Sequence, residues 1–438
     1  MFTTLKNALK IKEIRNKLLF TLGMLVVIRL GSQLPVPGVK IEEFSNWFNN
    51  NMGENFSFFN AFTGGSFEKM SILALNITPY ITSSIIMQLL TIAIPKLEEM
   101  QKEGEDGRKK IASITRYVTV ALALIEASAM AIAFWNGNML KDKNVLSVIT
   151  IITALTAGSA FLMWVGERIT EKGVGNGISI VLIINIISRI PQDIKQLFEQ
   201  FVFGKAIAVG AVAAIIILAI ILAMIVMVII LNDGVRKIPV QYAKKVQGRK
   251  MVGGQTSSIP LKINTAGVIP IIFASSLMQL PIIVSSFFNY NGGGVWGQIL
   301  RGLNSSNWCN PSEPVYSIGL VVYVALVIFF AYFYTSITFN PIEIAENTLK
   351  KQGGFIPGIR PGKPTSEYLT KILNYIIFIG AVGLTIVCVV PFLFNGIFGA
   401  SVSFGGTSLI IIVSVVLETI KQIESQMLVR NYKGFLND

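Results

Sequence analysis

The sequence predicts an all-α polytopic membrane protein with ten transmembrane helices, and three observations carry that prediction. The stretch 206–231 runs 26 residues without a charge, and about 20 apolar residues suffice to cross the hydrocarbon core of a bilayer. Comparable charge-free runs recur at 71–94, 145–166, 266–288, 315–339, 372–395 and 401–417. Charged residues make up only 14% of the 438, against about 25% in a soluble domain.

The expected crossings are 18–34, 71–94, 114–135, 145–166, 177–189, 206–231, 266–288, 315–339, 369–395 and 401–420. The first follows a basic start, as a signal peptide would. It contains Arg29 and lacks a small-x-small cleavage site, so it reads as a retained span. Ten crossings put both termini on one side. With cytoplasmic termini, 28 of the 37 Lys and Arg fall in cytoplasmic segments and eight in outer loops. Basic loops stay inside, which fixes the orientation. The net charge of +13 is then mostly topological and by itself does not argue for nucleic acid.

The chain has no histidine, which excludes Ser-His and Cys-His catalysis, His-based metal sites and imidazole proton relays. Its two cysteines, Cys309 and Cys388, have no metal-ligand spacing and give no disulfide framework. Cys388 reads as a small apolar filler within a span.

Polar interruptions mark the spans that do more than cross. The second carries Asn76, Thr78, Pro79, Thr82, Ser83, Ser84 and Gln88, all costly against lipid. They therefore face protein or an aqueous path, or pack helices through small residues. The seventh opens on Asn264 and contains Pro270, Gln279 and Pro281; two prolines invite a kink or break. The third carries a lone carboxylate, Glu126. That acid is either neutral and hydrogen-bonded to Asn264 or Gln88, or part of a proton relay. The aromatic segment 56–69 is too polar to span and suits an interfacial or re-entrant position. The glycine-rich stretch 172–178 precedes a membrane helix and has no Gly-Lys-Ser/Thr, so it reads as a tight turn rather than a phosphate loop.

Two long cytoplasmic loops, 232–265 and 340–371, frame their cations with Gly and Pro. Arg249 and Lys250 lie among Gly248, Gly253 and Gly254, and Arg360 lies between Gly358 and Gly362. Positive-inside charge alone asks for no such framing. Cations held at the tips of ordered turns suit docking to a phosphate backbone or an acidic protein surface.

Over nearly its whole length the sequence resembles the SecY family, the channel subunits of the bacterial protein-export translocon. The resemblance rests on AFTGG at 61–65, PYITSSIIMQLL at 79–90, KEGEDGRKKI at 102–111, GVGNGISI at 173–180, NTAGVIP at 264–270, PGIRPG at 357–362 and FGGTS at 404–408. It implies two inverted, pseudo-symmetric five-helix halves around an hourglass pore. Residues 1–189 and 206–420 would form the halves, 190–205 the hinge connection and 421–438 a cytoplasmic tail. It assigns Ile77, Ile81, Ile178, Leu182, Ile272 and Ile411 to a pore ring. A re-entrant plug over about 56–70 would include Phe59, Asn60, Phe62, Thr63, Gly64 and Gly65. Spans 2 and 7 would form a lateral gate, with Gln88, Glu126 and Asn264 in polar contact across it. Arg249, Lys250 and Arg360 would contact the SecA ATPase or the ribosome.

The function so implied is a channel that moves unfolded secretory proteins across the bacterial plasma membrane and releases membrane helices sideways into lipid. Its partners would be SecE and SecG, SecA, ribosomal RNA, signal sequences, nascent chains and lipids, with no cofactor. An accessory SecY paralogue for dedicated substrates is one alternative. An inverted-repeat solute transporter is another, but it needs paired ionisable groups at mid-membrane, and only Glu126 and Arg29 lie well inside spans. A membrane enzyme finds neither an acid pair nor a cysteine motif.

Overall fold

Proline and glycine decide where the helices of this chain begin and stop. The computed structural model describes residues 8–51, 63–203, 207–242, 245–247, 250–252, 256–287, 294–309, 313–346, 354–398 and 406–435. Helix α1 (Lys12–Gly31) ends at Ser32. An extended segment then bridges Pro35 to Ser71 and Val39 to Leu140 before α2 (Ile41–Asn51). Helix α3 (Thr78–Ala93) has Pro79 in its first turn, where a missing N–H is no loss. Pro95 forces Ile94 into extended backbone (φ −110°, ψ 109°), because proline excludes the helical region for the residue before it. Helix α4 (Pro95–Lys102) therefore leaves α3 at 101°.

Three long helices follow: α5 (Glu105–Asn136), α6 (Val145–Lys172) and α7 (Gly177–Phe201). The 172–178 stretch is the tight turn the sequence suggests. Gly175 takes φ +83°, and the Asn176 side chain accepts from the backbone N–H of Ile178 and Ser179 to start α7. Residues 190–201, expected in the hinge connection, continue α7 through Pro191. Charge ended the apolar pattern at Arg189 without ending the helix. Arg189–Asp193 and Lys195–Glu199 are ion pairs one turn apart on α7, a spacing that supports helix.

The second part comprises α8 (Ile207–Asp233), α9 (Ile269–Phe287), α10 (Gly294–Leu303), α11 (Ile318–Thr338), α12 (Lys363–Phe398) and α13 (Gly406–Phe435). Among the described residues, six helices are long and apolar enough to cross a membrane, or seven if the bent pair α3–α4 counts as one crossing. The other three of the ten expected crossings fall on α1, α9 and α13. Those helices are shorter in apolar length or more interrupted by charge.

The loop 232–265 contains structure that the helical reading misses. Strand β1 (Val235–Tyr242) pairs antiparallel with β4 (Thr256–Lys262) and on its other edge with β5 (Gly354–Phe355). Between β1 and β4, β2 (Lys245–Gln247) and β3 (Lys250–Val252) form a short antiparallel pair. Ile238 and Val240 alternate inward along β1, a period of two. They pack with Leu261, Ile356 and Leu369 beneath the sheet.

Apolar burial concentrates in three large clusters. One joins α2, α5 and α6 around Phe44, Phe48, Phe67 and Phe134, with edge-on ring contacts of 5.4–5.8 Å from Phe44 to Phe134 and Phe67. Another joins α8, α9, α11, α12 and α13 around Trp308, Tyr323 and Val327. The third lies where the two parts meet, drawing on α1, α3, α6, α7, α9 and α13.

Candidate pore, seal and gate

The cluster shared by both parts contains all six residues expected in the ring. Ile77, Leu182 and Ile411 are buried, and Ile81, Ile178 and Ile272 are half-buried against them. Four elements supply them, each near its start. Ile77 caps α3, and Ile81 follows one turn later. Ile178 and Leu182 are likewise four apart at the start of α7, a spacing that keeps both side chains on one face. Ile272 lies in the first turn of α9 and Ile411 in the second turn of α13. A girdle of branched aliphatics offers a passing chain no hydrogen bonds and sheds water and ions.

The segment 63–77 leads into this cluster through Leu73 and Ile77, while Phe67, Met70, Ala74 and Leu75 pack in the cluster around Phe44. Phe59, Asn60 and Phe62 fall outside the described residues, whereas Thr63, Gly64 and Gly65 do not. Thr63 is fully buried. Gly64 and Gly65 take φ of +62° and +79°, the left-handed region that glycine enters freely. A Cβ on Gly64 would stand 2.7 Å from the Asn185 carbonyl oxygen, so the segment rests directly on the backbone of α7. Asn185 Nδ2 donates to Asn76 Oδ1 at 3.0 Å, and Ser159 Oγ donates to the Asn76 carbonyl at 3.2 Å. Asn76 itself sits at φ +53°, which asparagine tolerates. Glu68 Oε2 accepts from Arg189 Nη1 at 3.3 Å.

Among the described residues, no hydrogen bond joins Gln88, Glu126 and Asn264 in this conformation, for a geometric reason. Strand register pairs Val235 with Lys262, so the ends of the hairpin bring residue 264 back beside the end of α8. Asn264 Nδ2 accordingly donates to Asn232 Oδ1 at 2.9 Å, and Asn232 Nδ2 donates to Ser414 Oγ on α13 at 2.7 Å. Gln88 Nε2 reaches only Ser84 Oγ on its own helix, at 3.5 Å. Glu126 is half-buried on α5. The polar contact between α3 and α5 is instead Ser83 Oγ with Thr119 Oγ1 at 2.6 Å, with Ser83 also donating to the Thr115 carbonyl at 3.2 Å. Asn232, Ser414 and Thr119 are functional candidates that the sequence reading missed. Ser83 was visible as one polar residue among many, with nothing to name its partner.

On the sheet side, Arg249 falls outside the described residues. Lys250 opens β3 opposite Gln247. Arg360 is exposed in a turn flanked by Gly358 at φ +83° and Gly362 at φ +104°. Its carbonyl accepts from Thr365 Oγ1 at 2.8 Å, which ties the turn to the start of α12 and leaves the guanidinium outward.

A family model described as SecY matches residues 71–420. The chain belongs to the SecY family. The protein translocase subunit SecY of Bacillus subtilis strain 168 is 44% identical over 446 residues, covering all of both chains. That of Bacillus licheniformis is also 44% identical, and that of Mycobacterium tuberculosis H37Rv 41%, again end to end. Among solved structures, a protein-conducting channel aligns with a TM-score of 0.60 at 18% identity, covering 94% of this chain and 93% of the other. Canine Sec61 from a ribosome–channel complex of the endoplasmic reticulum aligns at 0.59 and 16%, with the same coverage. These two show a shared fold. Membership in the SecY family and the apolar helices make this a multi-pass membrane protein, and its named relatives are protein translocase subunits.

Proposed function

We propose that this chain is the protein-conducting channel of a bacterial plasma-membrane translocon, passing unfolded secretory proteins and releasing membrane helices sideways. The observation that carries the reading is the convergence of six branched aliphatic residues from four elements of both halves on one apolar cluster. In this reading Ile77, Ile81, Ile178, Leu182, Ile272 and Ile411 form a yielding ring, and residues 56–70 close it as a plug. Helices α3 and α9 part to admit a signal sequence. Their positions support this, since α3 packs chiefly on α5 and α9 chiefly on α11. The Asn264–Asn232–Ser414 chain then holds the start of α9 to its own half until a signal displaces it.

Both termini, the sheet and the Arg360 turn face the cytoplasm in this account. The exposed cation and its glycine frame suit SecA or ribosomal RNA, while SecE and SecG complete the complex. The test is reconstitution. The chain, co-purified with its small partner subunits and placed in vesicles with SecA and ATP, protects a secretory precursor from added protease. Protection that is independent of ATP, or absent, contradicts the proposal.

A further inference from the structure

We propose that Arg189 is a positioning residue for the plug, a charged anchor that sets how easily this channel opens; the inference rests on the plug reading of residues 56–70. Arg189 lies on α7, seven residues beyond Leu182 of the ring, about 10 Å along the helix. Asn185, Arg189 and Asp193 continue the face on which Leu182 lies, at the three- and four-residue spacing that stacks side chains.

The plug end docks on that face at consecutive points. Gly64 meets the Asn185 backbone. Gly65 lies over Arg189, where an added Cβ would stand 3.7 Å from Nη1. Glu68 receives the Arg189 hydrogen bond. The neighbouring cation Lys69 is drawn elsewhere, donating to Gln33 at 2.8 Å, so it does not take Arg189's place beside Glu68.

Two features make this pair an anchor rather than an ordinary surface contact. The Arg189 side chain is only 15% exposed, against 36% for Glu68, so solvent reaches the pair from the carboxylate side while the cation is shielded. Asp193 Oδ1, on a side chain 4% exposed, is already paired with Arg189, 3.9 Å from its Nε. When the plug leaves, Arg189 loses Glu68 but keeps a carboxylate on its own helix. A buried cation without any partner strongly disfavours its state, and Asp193 prevents that outcome. Opening is therefore opposed yet reversible, and the strength of the Glu68 contact tunes the signal needed to overcome it.

The test uses the intact complex in vesicles, reading resting ion leak and export of precursors whose signals are graded in hydrophobicity. Arg189→Gln and Glu68→Gln should each raise leak several-fold and admit weaker signals. The double variant should be no worse than either single one, and Arg189→Lys should stay near the parent. Glu68 is partly exposed, so Glu68→Gln tests the anchor even where loss of Arg189 impairs folding. Deletion of residues 56–66 separates the two claims. If deletion leaves leak unchanged, the plug reading fails. If deletion leaks while Glu68→Gln matches the parent, or the two single effects add, the anchor is overturned.

Discussion

Gly64 carries the most demanding geometry in the seal, with a positive φ and a carbonyl where its side chain would be. Gly64→Ala should cost the seated state about 1–3 kcal/mol, the usual range for a forced backbone conformation. It should appear as increased resting leak; an unchanged leak would show that the plug end is not seated on α7. Asn264 teaches a different lesson at the same scale. Its chemistry announced the need for a buried partner, but only the β1–β4 register names Asn232. Asn264→Leu removes one hydrogen bond, and such bonds in membranes average about 0.6 kcal/mol. It also leaves Asn232 Oδ1 without its donor, so a total of about 1 kcal/mol is expected. Export driven by weak signal sequences should rise, and equal handling of weak and strong signals would remove Asn264 from gating.

Elements differ in how openly the sequence declared them. Long apolar runs such as 206–231 needed no tertiary knowledge, because length and lack of charge suffice. The break at Pro95 is equally local. The hairpin was illegible for the opposite reason. Its inward residues Ile238 and Val240 are few, and the sheet under which they bury is completed by β5, more than a hundred residues away. Helix α7 outlasted its apolar pattern because ion pairs replaced burial along its last turns.

Two predictions belong to elements. Ring residues lie near the starts of four helices, so Ile81→Asn or Ile411→Asn should wet the constriction and raise ion conductance, while Ile→Val at either position should not. Conductance unchanged by asparagine would place the constriction elsewhere. The Arg360 turn is pinned by Thr365 and exposes its cation. Arg360→Glu should therefore reduce ATP-driven export at least tenfold while leaving melting and subunit capture intact. Normal export would sink the docking role.

At the scale of the whole molecule, the halves meet chiefly in one large apolar cluster, with a smaller one of Ile14, Val174 and Ile423 also spanning them, and each half keeps a large core of its own. In the proposed account this junction of the halves is also the narrowest point of the channel, which then widens by small displacements of α3, α7, α9 and α13, without unfolding either core. In that account the polar interruptions are the supports of the passage, and the passage itself is apolar. Photo-crosslinking of an arrested secretory precursor tests this directly, with probes at Ile81, Leu182, Ile272 and Ile411 and controls at exposed Leu22 and Val321. The account predicts adducts to the stalled chain from the four cluster positions and none from the controls. Adducts absent from the cluster, or equally frequent at the controls, would contradict it.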